Sequence, residues 1–189
     1  MTAADLRLIL PNLITIARLC AVPVTVYLII LGRLDWAFWL FVCAGISDAV
    51  DGFLAKQFRA HSAIGGYLDP LADKALLVSV YVTLGFLGDL PIWLVILVVF
   101  RDALIVVGIA VSHALGHPLQ MKPLVISKIN TGLQILLAAG AMLLHGYKID
   151  AGWALQALIA IVAASTLVSG AAYVVRGLKG AARIEGASP

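Results

Sequence analysis

The sequence predicts an all-α, polytopic membrane protein with six transmembrane helices in a single domain, residues 1–189. Of the 189 residues, 62% are hydrophobic and only 12% are charged. A soluble domain carries about 25% charged residues, so a soluble fold of this size could not cover so much apolar surface. The apolar residues also form runs of about 20, the length a helix needs to cross a bilayer.

Each run is separated from the next by a short polar or glycine- and proline-containing turn. The spans are predicted at residues 11–32, 36–58, 69–88, 91–115, 124–145 and 153–175. A short amphipathic segment at residues 4–10 precedes the first span, either on the membrane surface or as a frayed terminus. Pro70 follows Asp69 directly, which predicts that the third helix begins there or is kinked there.

Lysine and arginine are unevenly distributed between the two sets of helix ends. One set has only Arg33 and Lys148. The other set has eight cations: Arg7, Lys56, Arg59, Lys122, Lys128, Arg176, Lys179 and Arg183. Because these residues collect on the cytoplasmic side, both termini are predicted in the cytoplasm or matrix, at a bacterial or mitochondrial inner membrane. The net charge of +3 is explained by these loops and does not indicate nucleic-acid binding.

Polar residues of several spans fall at this same side. In the first span, Asn12, Thr15 and Arg18 are each three residues apart and share one helical face. These side chains either extend to lipid headgroups or turn into the bundle towards a polar ligand.

Four aspartates are the most informative polar residues. Asp48 and Asp51 are three residues apart at the end of the second span, and Asp69 and Asp73 are four apart at the start of the third. Each spacing places two carboxylates on one helical face. Carboxylates so close together cannot all stay ionised without a cation, and their oxygens suit Mg²⁺ or Mn²⁺.

Small residues beside these carboxylates favour a phosphate ligand. Gly52, Gly65 and Gly66 permit close approach of a diphosphate to the backbone, and Lys56 offsets phosphate charge. Membrane carboxylates also form proton relays and ion paths, or pair structurally with lysine and arginine. From spacing alone, metal-dependent phosphate chemistry, transport and structural ion pairing all remain open.

The pattern in this stretch resembles the signature of the CDP-alcohol phosphotransferase family, D-x2-D-G-x2-A-R-x8-G-x3-D-x3-D. Lys56 departs from it, since the family usually has arginine there. The matching positions are Asp48, Asp51, Gly52, Ala55, Gly65, Asp69 and Asp73. The opening PNLITIAR and the six predicted spans are also similar to this family.

Three further segments, LDPLADKALL, FRDALIV and PLVISKINTGLQ, resemble the members that form cardiolipin and CMP. Members that form phosphatidylglycerophosphate tend to have glycine where this chain has Ser127. The resemblance therefore implies transfer of phosphatidyl from CDP-diacylglycerol to phosphatidylglycerol. Glycerol 3-phosphate is the alternative acceptor, and an ion or proton transporter or a scaffold without turnover fits less well.

The resemblance also implies roles for individual residues. Asp48, Asp51, Asp69 and Asp73 would hold one or two Mg²⁺ or Mn²⁺ ions, and Asp73 would also be the general base. The CDP moiety would be surrounded by Gly52, Ala55, Lys56 and Gly65, with Asn12 and Thr15 beside its phosphates. Arg101 and Lys128 are candidates for the phosphate of the acceptor, although Arg101 could instead pair with Asp102. A homodimer embedded in membrane lipids is expected.

Overall fold

A computed structural model describes residues 3–58, 65–114 and 125–185, and side chains within 16–47, 74–108 and 125–177. These ranges are helical apart from short turns and contain no β-strand. Six helices follow in order: α1 (Ala3–Ile30), α2 (Leu34–Phe58), α3 (Gly65–Leu87), α4 (Ile92–Ala114), α5 (Val125–Gly146) and α6 (Gly152–Glu185). The all-α prediction is confirmed.

Three helices extend beyond the apolar runs from which spans were predicted. The amphipathic segment 4–10 is continuous with α1, and α6 continues to Glu185. Helix α3 begins at Gly65, about one turn before the start predicted at Asp69 or Pro70. Proline removes one backbone donor near the start of a helix, where the first N–H groups have no intrahelical partner. The predicted start of α3 coincides with the start of the apolar run, but the helix itself extends further towards the N-terminus.

Two helical stretches within the described ranges are long and apolar enough to cross a membrane, Val125–Gly146 and Gly152–Gly177. Shorter apolar helical stretches are Ile16–Ile30, Leu34–Ser47 and Lys74–Leu87. Both helices of spanning length therefore lie in the C-terminal half of the described chain, and the three shorter stretches lie in the N-terminal half. The arrangement of six spans stays a prediction.

The chain forms two compact units. Unit 1 comprises Met1–Leu90 and Ala138–Asp150, and unit 2 comprises Pro91–Leu137 and Ala151–Pro189. The boundary divides α5 between Leu137 and Ala138, so that its two halves contribute to different units.

In unit 1, α1 packs against both α2 and α3. Leu31–Arg33 connects α1 to α2, with Gly32 at φ 69°, a left-handed conformation that glycine adopts without strain. Because this turn is short, α1 and α2 are antiparallel neighbours. Fully buried side chains from all three helices, including Ile29, Ala37 and Tyr81, form the core of the unit.

The end of α5 closes one end of unit 1. Trp39 donates its Nε1–H to the Tyr147 hydroxyl at 3.0 Å, and the His145 ring lies 2.7 Å from the Asp89 carboxylate. Gly146 lies so close to the start of α2 that a Cβ there would be 2.7 Å from the backbone nitrogen of Asp35. This close backbone approach requires glycine.

We expect Gly146→Ala to destabilise the protein by about 1–3 kcal/mol, because the added methyl group collides with backbone atoms that cannot rotate away. Gly132→Ala in the same helix is the matched control, since a Cβ at Gly132 meets nothing within 4 Å. Thermal unfolding of the detergent-purified variants would measure both effects. Equal stability of the two variants would contradict the close packing at Gly146.

Candidate active site

The four aspartates lie on two continuous helices, Asp48 and Asp51 on α2 and Asp69 and Asp73 on α3. Their side chains lie outside the described residues, but the helical backbone fixes the register of the positions. Residues three or four apart on an α-helix share a face. Each pair of aspartate positions therefore lies on one face of its helix, as the spacing predicted.

On α2, that face is continuous with the buried face of the helix. The buried residues Leu34, Ala37, Phe41 and Ala44 recur at intervals of three and four. Continuing the same alternation along α2 gives positions 48, 51 and 55. The signature positions of α2 thus extend the stripe that packs into the core of unit 1.

Helix α3 has a similar buried stripe, which runs from its C-terminal half towards its N-terminus. Leu84, Val80 and Leu77 are buried at intervals of four and three. Going back from Leu77, positions 73 and 69 lie on the same stripe, whereas position 65 lies roughly 90° away from it around the helix. The two aspartate positions of α3 therefore extend its buried stripe, as those of α2 do.

Helix α1 contributes a third stripe. Thr25 and Ile29 are fully buried, and Arg18, on the same stripe, is only 4% exposed. Burial of Arg18 contradicts the interpretation that its side chain extends to lipid headgroups, and favours a polar face turned inward. Position 15 borders this stripe and position 12 lies further round the helix, and the side chains of Thr15 and Asn12 lie outside the described residues.

The positions of Arg18, Asp48 and Asp73 lie at similar distances from one end of their helices. At about 1.5 Å per residue, Arg18 is about 18 Å from the end of α1 at Ile30, and Asp48 is about 21 Å from the start of α2 at Leu34. Since a three-residue turn joins those ends, the two positions are nearly level. Asp73 lies about 21 Å from the end of α3 at Leu87.

The other predicted donor-binding positions on α2, Gly52, Ala55 and Lys56, follow Asp48 within about two and a quarter turns. The side chain of Lys56 lies outside the described residues. Within 16–47, 74–108 and 125–177, no three His, Cys, Asp or Glu side chains converge as a metal site. The four aspartates fall outside those ranges.

In unit 2, Arg101 of α4 is 3% exposed and neighbouring Asp102 is 6% exposed. Arg101 Nη1 donates to Asp102 Oδ1 at 2.7 Å. Nη2 donates to Ser127 Oγ of α5 at 2.6 Å and to Ser169 Oγ of α6 at 2.5 Å. The guanidinium carbon also lies 6.0 Å from the ring centroid of Tyr173. The structural pairing considered for Arg101 is therefore present, within a larger hydrogen-bonded cluster.

Lys128, the other cation predicted to bind the acceptor, is exposed on the first turn of α5. It directly follows Ser127, whose hydroxyl accepts from Arg101. The two predicted cations thus differ in their surroundings, Arg101 being buried and hydrogen-bonded and Lys128 open to a ligand.

The polar face of α6 is absent from the sequence predictions, which assign no functional residue to the last span. Besides Ser169, Ser165 and Thr166 donate hydrogen bonds to Asn130 Oδ1, at 2.6 and 2.9 Å. Asn130 and Thr166 are fully buried. The available signal was the spacing of these three hydroxyl residues over a little more than one turn of α6.

Comparison with known proteins gives the family. The sequence pattern of the family described as CDP-alcohol phosphatidyltransferase matches residues 8–175. The chain is 35% identical over 179 residues to a fission yeast (Schizosaccharomyces pombe) protein named cardiolipin synthase (CMP-forming) / mitochondrial hydrolase fusion protein. That match covers 87% of this chain and 30% of the relative.

Two further relatives are human and plant proteins. Human cardiolipin synthase (CMP-forming) is 30% identical over 87% of this chain and 60% of its own length. The chloroplastic CDP-diacylglycerol--glycerol-3-phosphate 3-phosphatidyltransferase 1 of rice (Oryza sativa subsp. japonica) is 39% identical over 71% of this chain and 46% of its own. The chain thus spans less than two thirds of these relatives. It belongs to the CDP-alcohol phosphatidyltransferase family.

We expect Asp102→Ala to destabilise the protein by about 3–5 kcal/mol, because it leaves the buried Arg101 guanidinium without its counter-charge. Asp35→Ala is the control: Asp35 lies 3.7 Å from Arg33 in an exposed pair. Loss of such a pair costs at most about 1 kcal/mol. Chemical denaturation in detergent would compare the two, and equal losses would contradict a stabilising role for the Arg101–Asp102 pair.

Proposed function

We propose that this protein is an integral-membrane phosphatidyltransferase that converts CDP-diacylglycerol and phosphatidylglycerol into cardiolipin and CMP. The observation that carries the proposal is the register of the four aspartate positions, which extend the core-facing stripes of α2 and α3. The names of the fission yeast and human relatives support phosphatidylglycerol as acceptor. The name of the rice relative supports glycerol 3-phosphate as the alternative acceptor.

The donor is proposed to bind with its nucleotide headgroup against α2 and α3. Gly52, Ala55 and Gly65 leave room for CDP beside the backbone, and Lys56 offsets the charge of its phosphates. Lys56 supplies a compact charge in place of the two-pronged guanidinium usual in the family. Asn12 and Thr15, in the N-terminal half of α1, are proposed to contact the same phosphates.

The paired aspartates fit a divalent ion, because acidic oxygens at intervals of three and four on core-facing helices require a hard cation. Asp48, Asp51, Asp69 and Asp73 are proposed to hold one or two Mg²⁺ or Mn²⁺ ions. When bound, the metal would neutralise charge on the diphosphate and on the departing CMP.

The side chains of the protein contribute to the reaction by accepting the proton of the acceptor hydroxyl and by orienting the acceptor. Asp73 accepts the proton of the acceptor hydroxyl. The resulting oxygen attacks the phosphorus that carries diacylglycerol, forming a new P–O bond. The P–O bond to the CMP phosphate breaks, and CMP leaves with the electron pair. Lys128 and Arg101 are proposed to bind the phosphate of the acceptor, Lys128 from its exposed position on α5.

Six membrane spans with a cytoplasmic or matrix-side active site are part of the proposal. All four tryptophans lie within the first two turns of α2, α4 and α6, and all are more than half exposed: Trp36, Trp39, Trp93 and Trp153. Tryptophan is enriched where a span meets the membrane surface. The predicted orientation puts these helix starts at the membrane surface opposite the aspartates. A homodimer is proposed on the family resemblance.

We expect Asp73→Asn to reduce CMP release by about 100-fold or more, since a general base contributes about 10²–10⁴ in rate. The assay is purified protein with CDP-diacylglycerol, Mn²⁺ and either phosphatidylglycerol or glycerol 3-phosphate, with identification of the lipid product. Asp150→Asn, an exposed carboxylate outside the signature, is the matched control. Full activity of Asp73→Asn, or no CMP release by the wild type with either acceptor, would contradict the proposal.

Removal of divalent ions with EDTA should abolish transfer, and added Mg²⁺ or Mn²⁺ should restore it, because charge on the diphosphate is otherwise uncompensated. EDTA saturated beforehand with the same divalent ion as the assay, which therefore removes none of it, serves as the control. Transfer at an unchanged rate in EDTA would argue against a metal-dependent site. Ion flux into liposomes without any CDP-lipid would favour transport instead.

A further inference from the structure

Helix α6 is longer than a membrane span. It runs over 34 residues to Glu185, whereas its stretch apolar enough to cross a membrane ends at Gly177. A hydrocarbon core of about 30 Å takes about 20 residues of helix. A crossing that starts at Trp153, which is 79% exposed and of a type enriched at membrane surfaces, ends near Tyr173. The last three turns or so of α6 therefore continue as helix beyond the hydrocarbon.

This continuation of α6 has three cations on one face, Arg176, Lys179 and Arg183. At about 100° per residue, the three positions lie within an arc of about 60°. The side chain of Arg176 is exposed. Glu185 is the one acidic residue in the sequence of α6, and its position lies about 150° from the centre of that arc. The face is therefore positive throughout.

Core packing, helix capping and membrane orientation do not account for a common face. The buried stripe of α6 through Ser169 and Tyr173 continues to position 180, and the cation positions are centred roughly 70° to one side of it. The helix dipole favours cations only in the last turn, and Lys179 lies more than a turn before the end of α6. Orientation by the charge of a loop needs cations at one end of a span, at any position around the helix.

The cation positions also lie at the depth of lipid headgroups. Lys179 lies about 39 Å along α6 from Trp153, or about 37 Å across the bilayer at a typical tilt of about 20°. That is about 7 Å beyond a hydrocarbon core of about 30 Å, in the headgroup layer. Lys179 and Arg183 are four residues apart, so their positions are neighbours on the helix surface. Two such cations can share one phosphate group.

We propose that the C-terminal end of α6 binds an anionic phospholipid, whose headgroup phosphate lies between Lys179 and Arg183, with Arg176 beside it. An anionic lipid is favoured over a zwitterionic one because a face of three cations is left without counter-charge by a neutral headgroup. The proposal requires α6 to cross the membrane but does not depend on catalysis. The donor and the acceptor of the proposed function are themselves anionic phospholipids, so this site would hold lipids of the class that the reaction uses.

Native mass spectrometry of the detergent-purified full chain tests the site. The probe is dioleoylphosphatidic acid, titrated without divalent ions, which has a phosphate but no acceptor hydroxyl. Dioleoylphosphatidylcholine, in which choline offsets the phosphate charge, is the comparison. We expect Lys179→Gln and Arg183→Gln each to weaken binding of phosphatidic acid about fivefold, which is the contribution of one cation near an anionic lipid surface. The affinity for phosphatidylcholine should change by less than about twofold.

Three control variants separate a site on one face from net charge. Lys148→Gln removes an exposed cation at the predicted opposite membrane surface and should leave both affinities unchanged. Lys179→Arg keeps the cation and should bind as the wild type does. Adding Ala181→Lys to Lys179→Gln restores the net charge about 160° away around the helix and should not restore binding. Glutamine and lysine both have high helix propensity, so the end of α6 should stay helical in these variants.

Each outcome decides on the site. Unchanged affinity for phosphatidic acid in the double variant Lys179→Gln/Arg183→Gln would overturn the proposal. Recovery of binding on adding Ala181→Lys, or equal weakening by Lys148→Gln, would also overturn it, because net charge would then explain the binding. Wild-type protein that releases no CMP contradicts the proposed function, whereas the lipid titration alone decides on the site at the end of α6.

Discussion

The structure depends on placing four carboxylates in helices that are otherwise apolar. A charged side chain within hydrocarbon costs several kcal/mol unless it is paired or hydrated. In unit 1, the charged positions lie on the same helical stripes as the core residues. On α2 the stripe that contains Phe41 continues to position 48, and on α3 the stripe that contains Val80 continues to position 73. In the proposed site, helices packed through these stripes would bring the acidic positions together, and a bound cation would offset their repulsion.

In unit 2, a buried charge is balanced by the chain's own side chains. Arg101 is buried in the middle of α4, and its charge is balanced by Asp102 and its donors are largely satisfied by hydroxyls. Such a pair adds little net stability over an apolar replacement, because both groups lose their hydration. Its value lies in position: the bonds from Arg101 join α4, α5 and α6 at one level of the unit.

Features that depend on a single segment of the chain could be predicted from the sequence, whereas features that depend on contacts between helices could not. The helices and the shared faces of Asp48 with Asp51 and of Asp69 with Asp73 depend only on spacing along one chain segment. The burial of Arg18 could not be predicted from the sequence, because an arginine near the end of a span can either contact lipid headgroups or pack inside the bundle. Ser169 and Thr166 went unnoticed because a helical hydroxyl can bond its own backbone, so only tertiary structure shows its partner.

The central claim is that α2 and α3 contribute to one metal site, and Mn²⁺ binding measured by electron paramagnetic resonance tests it most directly. The samples are wild-type protein, Asp51→Asn from α2, Asp69→Asn from α3 and the exposed control Asp150→Asn. We expect Asp51→Asn and Asp69→Asn each to weaken Mn²⁺ binding by at least about tenfold, and Asp150→Asn to match the wild type. Weakened binding in only one of the two aspartate variants would contradict a site shared by the two helices.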